Sequence, residues 1–312
     1  MNETFIPSFN AYRVFIEPWT DALPIYGWMV LMAFLVTATC GLIGNYLILR
    51  RMALVGDAIS HSVLPGLAIA YLATGALTLP AMIGGALGAG LLTTSMIEFL
   101  QSRSRIKADA AIGITFCTLF AFGVVLINVF ASRVHLDADC VLYGELSYLH
   151  KGASEIAPRP VLIMGGVGLA VALLILCFYK ELLVSSFDAM LAASMGYSPK
   201  WIHLGLMAML SIVIVAAFES VGAILVIAML ILPGATSQLI STRLPVCLGL
   251  SILHAALSAI LGLHLAVWLD CSMAGAAVVA GAFLFTLAWV FAPQGLLSRM
   301  QKRTAHEQPA TS

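Results

Sequence analysis

The stretch Gly56-Asp57-Ala58-Ile59-Ser60-His61-Ser62-Val63-Leu64-Pro65-Gly66 sets a carboxylate, an imidazole and two hydroxyls between apolar runs. Asp57 and His61 are four residues apart, so on a helix they share a face, one turn from each other. A carboxylate and an imidazole are costly at membrane depth, and such residues mark a pathway, a relay or a bound ion. Carboxylate oxygen with imidazole nitrogen suits a divalent transition metal. The structural alternative is a helix-end pair, with Asp57 near Arg50 and Arg51 and His61 bonded to a neighbouring helix. Ser60, Pro65 and the nearby glycines weigh against it, because they predict a bent helix lining a cavity.

Composition sets the frame. The chain has 312 residues, 61% hydrophobic and 10% charged, against about 25% charged in a soluble domain. An all-α, polytopic membrane protein follows. Apolar runs cover 26–49, 58–72, 77–97, 108–130, 161–179, 201–218, 221–240, 244–267 and 272–291. The run 58–72 is short and holds Pro65 and Gly66, and the run 221–240 holds Pro233 and Gly234. The expectation is therefore eight or nine transmembrane helices, with a re-entrant piece where eight cross.

Nine spans alternate consistently with basic charge. Eleven of the 15 basic residues fall on one side: Arg50, Arg51, Arg103, Arg105, Lys107, Lys180, Lys200, Arg243, Arg299, Lys302 and Arg303. That side reads as cytoplasmic, which puts the N-terminus outside and the C-terminus inside. Residues 1–25 form an outer segment, 26–298 the membrane domain and 299–312 a polar tail. Met1–Thr4 lacks the basic region of a cleaved secretory signal. The six cysteines show no C-x-x-C spacing and suggest no disulfide framework.

Other polar features have two readings each. Glu219, between two apolar runs, is a pathway carboxylate or an exposed loop residue. The segment His135-Leu136-Asp137-Ala138-Asp139-Cys140, with Tyr143-Gly144-Glu145 after it, collects metal at the outer face or is a solvated loop. His254, His264 and Asp270 read as packing or interfacial residues. The stretch 180–196 reads as a surface amphipathic helix, capped by Ser186 or Asp188 and ended by Gly196, with a face suited to a partner's groove. Gly84, Gly85, Gly88 and Gly90, and Gly165, Gly166 and Gly168, read as helix-packing contacts. No Walker A sequence, His-Glu-x-x-His or Gly-x-Ser-x-Gly occurs.

The stretch from Arg50 to Gly66 resembles the signature of the integral-membrane permeases of bacterial manganese, zinc and iron ABC importers. Asp139 to Glu145 is similar to that family's central outer segment, as found in manganese/zinc permeases of the treponemal and chlamydial kind. Phe187-Asp188 through Gly196 resembles its ATPase-coupling segment. Val221 to Val226 with Leu232-Pro233-Gly234-Ala235-Thr236 resembles its late apolar motif, with Gly234 where alanine is commoner. Ser272 to Gly275 and Phe291-Ala292-Pro293 resemble the end of the last span.

The resemblance implies a type II ABC importer-like permease in the bacterial cytoplasmic (inner) membrane. It implies a homodimer, or a heterodimer with a sister permease, cytoplasmic ATPase subunits that carry the hydrolysis, and an extracytoplasmic metal-binding protein. No nucleic-acid partner and no permanent cofactor are expected; the metal (Mn²⁺, Zn²⁺ or Fe²⁺) is cargo. Asp57 and His61 map onto the metal pathway, Glu219 is the choice for a third ligand, and Phe187, Asp188 and Gly196 map onto ATPase coupling within 187–198. The rivals are an ATP-independent metal channel or secondary transporter, and an intramembrane enzyme or scaffold. An enzyme needs a further nucleophile or a complete metal triad on adjacent spans, which the sequence does not offer.

Overall fold

The computed structural model describes residues 9–20, 23–75, 78–130, 158–293 and 295–296. Among the described residues the chain is helical, with no β-strand. The helices are α1 (Ala11–Phe15), α2 (Leu23–Leu49), α3 (Ala53–Thr74), α4 (Leu79–Arg103), α5 (Ala108–Phe130) and α6 (Arg159–Cys177). They continue as α7 (Tyr179–Phe187), α8 (Ala189–Ser194), α9 (Pro199–Val221), α10 (Ala223–Ile240), α11 (Leu244–Leu269) and α12 (Met273–Phe291).

Local chemistry sets many of these boundaries. Proline stands in the first turn of α4, α6, α9 and α11, where its missing N–H has no helical partner to lose and its fixed φ suits the helix. Gly75 and Asp270 end α3 and α11 in the left-handed region. Gly222, at φ 81°, separates α9 from α10.

Eight helices are long and apolar enough to cross a membrane, and Leu225–Ile240 falls among the shorter apolar helices. The run 58–72, doubtful from sequence, is corrected to a full 22-residue helix. Its first turn falls outside the apolar run because Gly56 and Asp57 interrupt the hydropathy there. Pro65 does not interrupt it. Facing Pro65 on α5 is Gly123, where an added Cβ would lie 2.8 Å from the proline Cδ. The short amphipathic helix expected between a Ser186 or Asp188 cap and Gly196 is α8, with Asp188 extended at its N-cap (φ −148°, ψ 106°), and the residues before it form a separate helix, α7.

The chain divides into two compact units. In the unit of residues 46–227, α3 packs against α4 and α5, and α9 packs against α4 and α6. Close approach depends on small residues. Cβ atoms at Gly66 and Gly85 would each strike the other residue's carbonyl oxygen, and one at Gly90 would strike the Ser211 hydroxyl. Gly84, Gly88 and Gly166 face open space instead, so the expected packing role holds for Gly85 and Gly90 and fails for these three.

In the unit of residues 1–45 and 228–312, α11 packs on α12. Asn45 of α2 is fully buried and ties three helices together. Its amide Nδ2 donates to Ser251 Oγ on α11 and to Gly41 O, both at 2.7 Å, and its Oδ1 accepts from Ser237 Oγ on α10 at 2.9 Å. A buried amide with this many partners carries little desolvation penalty.

Gly85→Ala is expected to destabilise the detergent-solubilised protein by about 1–3 kcal/mol through overpacking. Gly84→Ala, one position away, should stay within about 0.5 kcal/mol. Thermal unfolding of the two variants checks this; equal midpoints would remove the α3–α4 contact as the cause.

Candidate functional site

On α3, Val55, Gly56, Ala58, Ile59, Ser60, Ser62 and Val63 are buried. Between residues 54 and 64 the positions left less covered are Leu54, Asp57, His61 and Leu64, spaced as one helical stripe. The share of buried residues in its most apolar window, 67%, is the highest of the eight candidate spans. The polar pair therefore sits on the least covered face of the most enveloped span.

His61 Nε2 lies 3.4 Å from Asp57 Oδ1, and the two side chains are 23% and 37% exposed. Two ligand atoms each about 2.1 Å from one ion, at a tetrahedral angle, are separated by about 3.4 Å. The pair thus has the spacing of two adjacent metal ligands. Ser60 and Ser62 are buried, off the stripe that carries the pair, and their hydroxyls donate to the Asp57 and Ala58 carbonyls at 2.8 and 2.6 Å. On α5, Phe116 and Phe120 flank the imidazole, with ring centroids 5.5 and 5.7 Å away. They fix the ring's plane without supplying a competing donor.

The helix-end alternative for the pair fails at Arg50. Its guanidinium turns to α7, where Nη2 donates to Ser185 Oγ at 2.7 Å and Nε to Ser186 Oγ at 3.1 Å. Among the described residues the two ion pairs are His61–Asp57 and His203–Glu98.

The remaining sequence candidates separate. Glu219 belongs to the last turn of α9, which corrects the loop reading; its side chain lies outside the described residues. So do His135 to Glu145. Among the described residues no third His, Cys, Asp or Glu joins a metal-holding group. His254 is buried against α12, where a Cβ at Gly281 would lie 3.2 Å from its Nε2. His264 Nδ1 contacts the Val14 carbonyl at 2.8 Å, and Asp270 forms the C-cap of α11. All three are packing or boundary residues.

The segment Phe187 to Gly196 is built by its caps. Asp188 Oδ1 accepts from the Met190 and Leu191 N–H groups at 2.8 and 3.0 Å. Gly196, at φ 88°, closes α8: its N–H reaches Ala193 O and the Tyr197 N–H reaches Ala192 O, the double bond of a Schellman end. Of the two capping candidates, Asp188 caps α8 and Ser186 serves Arg50. On α8 only Ala192 is buried. Around it Phe187, Met190, Leu191 and Met195 are 63%, 85%, 51% and 56% exposed. Such a cluster marks an interaction surface rather than scattered surface apolarity.

Sequence reasoning missed Phe116 and Phe120 and the serine partners of Arg50. These are contacts between distant segments, and no local spacing encodes them.

Residues 23–292 match the ABC 3 transport family. The chain is 39% identical to the manganese transport system membrane protein MntD of Bacillus subtilis, over 90% of this chain and 97% of that one. It is 41% identical to the zinc transport system membrane protein TroD of Treponema pallidum, over 85% of this chain and 74% of that one. Its fold is similar to a chain in the structure of PsaBC from Streptococcus pneumoniae in complex with Fab. That similarity has a TM-score of 0.75 and 35% identity, over 88% and 94% of the two chains. With the family match running from α2 to just beyond the end of α12, this chain belongs to the ABC 3 transport family and is a multi-pass membrane permease.

Proposed function

We propose that this permease is the membrane subunit of an ATP-driven importer of a divalent transition metal: Mn²⁺, Zn²⁺ or Fe²⁺. The observation that carries the reading is the Asp57–His61 pair. A carboxylate and an imidazole stand at metal-ligand spacing on the open face of an otherwise enveloped span. The metals named for MntD and TroD support the cargo class.

Two ligands do not complete a coordination shell. A second permease subunit, identical or a sister chain, brings a second pair to the same passage. Glu219 is a further ligand in this reading, from the last turn of α9. The cargo is held by few protein atoms, which allows release as well as entry.

The exposed apolar face of α8 docks an ATPase subunit in the manner of an amphipathic helix in a groove. Phe187 supplies apolar contact, and Asp188 and Gly196 hold the helix in shape. Energy comes from hydrolysis on that partner, and an extracytoplasmic metal-binding protein delivers the ion. The α8 side faces the cytoplasm, as basic residues set it. With α10 crossing as a ninth span, the N-terminus is then outside and the C-terminus inside, in the bacterial inner membrane, with 299–312 a cytoplasmic tail.

Asp57→Ala and His61→Ala complexes that assemble normally should import radiolabelled metal at least about tenfold more slowly than the parent, as expected for loss of a metal-site group. Uptake at the parental rate would take the pair out of the pathway. Met190→Asp places a charge on the most exposed side chain of α8 and should abolish co-purification of the ATPase subunits while leaving membrane insertion intact. Retention of those subunits at parental stoichiometry would move the docking surface elsewhere.

A further inference from the structure

The turn between α2 and α3 is tightly built. The Arg51 N–H reaches Ile48 O at 3.0 Å and the Met52 N–H reaches Leu47 O at 2.8 Å. Arg51 itself sits at φ 57°, a left-handed conformation that is uncommon without glycine. Helix α3 starts immediately after it. Arg50 is therefore held at one end of the helix that carries Asp57 and His61.

At its other end the Arg50 side chain meets the last turn of α7. Ser185 and Ser186 donate their hydroxyl hydrogens to the Leu182 carbonyl, at 3.3 and 2.6 Å. That leaves their oxygen lone pairs as acceptors, and Arg50 fills both with a two-pronged contact that a lysine ammonium cannot reproduce with the same geometry. Among the described residues no carboxylate pairs with this guanidinium. Burial lowers its pKa from the ordinary value, yet arginine stays charged. A partly buried cation held only by neutral hydroxyls is a costly way to fasten two helices, since an apolar contact fastens them without desolvating a charge.

Ser186 lies two residues before Asp188, which ends α7 and caps α8. One guanidinium thus joins the base of the exposed α8 surface to the start of α3. All of these residues lie within the unit of residues 46–227. We propose that Arg50 is a positioning residue that carries displacement of the α7–α8 segment to the metal-bearing helix α3 through its paired bonds to Ser185 and Ser186. This rests on the docking and cargo roles proposed above.

The test uses the full complex with its ATPase subunits and binding protein in proteoliposomes, with Mn²⁺ as the probe. The ratio read is phosphate released per Mn²⁺ imported. Arg50→Met, Arg50→Lys and the Ser185→Ala/Ser186→Ala pair should each keep parental ATPase stoichiometry and raise that ratio by about tenfold. Combining Arg50→Met with the serine pair should raise it no further, because the three residues act as one unit. If Arg50→Met fails to assemble, Arg50→Lys, which retains the charge, carries the same test. A parental ratio in an assembled variant would overturn the inference, as would multiplicative effects in the combined variant. So would uptake and hydrolysis falling in proportion, the mark of fewer intact complexes. A parental complex with no ATP-dependent Mn²⁺ uptake would instead overturn the transport reading, and this inference with it.

Discussion

The rest of the structure depends on the cost of holding a carboxylate and an imidazole within a membrane-spanning helix. Helix α3 meets that cost by segregation. Its buried faces carry Val55, Ala58, Ile59 and Val63, with small or self-satisfied residues between them. The hydroxyls of Ser60 and Ser62 are absorbed by the helix backbone. What is left polar on the open stripe is the pair itself, between Leu54 and Leu64. A charge at membrane depth is tolerated where it faces an aqueous passage or a compensating ion. On the proposed reading, a second permease subunit supplies the walls of that passage and the cation supplies the compensation.

Segregation works only if α3 stays straight and fixed. A proline inside a helix removes one hydrogen bond and crowds the preceding turn, yet here the helix continues past Pro65. The neighbouring helices make this possible by being narrow at the right places. Gly123 admits the proline ring, and Gly66 and Gly85 let the α3 and α4 backbones approach. Without water in the hydrocarbon to satisfy a broken backbone, packing of this kind is what keeps an interrupted sequence helical. The i, i+4 geometry of Asp57 and His61 is a consequence of that packing as much as of their spacing.

These details explain what could be read from sequence and what could not. Apolar runs of the required length fixed the helical class and most spans, because the bilayer imposes both. The Asp57–His61 spacing was legible for the same reason: four residues place two side chains on one helical face whatever surrounds them. The cap at Asp188 and the stop at Gly196 were legible because capping is local chemistry. The first turn of α3 was not, since Gly56 and Asp57 depress its hydropathy while neighbouring helices supply the burial. What sequence left open was which of Ser186 and Asp188 is the cap, and Ser186 is claimed by Arg50 from a distant segment. Arg50, seven residues before Asp57, reads in sequence as a partner for it and in space turns to Ser185 and Ser186. That choice is made by α7, which lies more than a hundred residues away.

A transport site and a structural metal site make opposite demands on similar ligands. A structural site closes its shell with four protein atoms and contributes folding energy outright. The pair on α3 is set in protein contacts: the Ser60 and Ser62 hydroxyls bond to backbone, Phe116 and Phe120 flank the imidazole, and α3 is packed on α4 and α5. On the proposed reading, an ion held by so few protein atoms can leave as well as enter. Entry and release, on that same reading, depend on how the open stripe of α3 is presented, and so on where its first turn is held. The junction of α2, α3 and α7, tied by Arg50 to Ser185 and Ser186, is then where that presentation is set, about one to two turns of α3 from the pair itself.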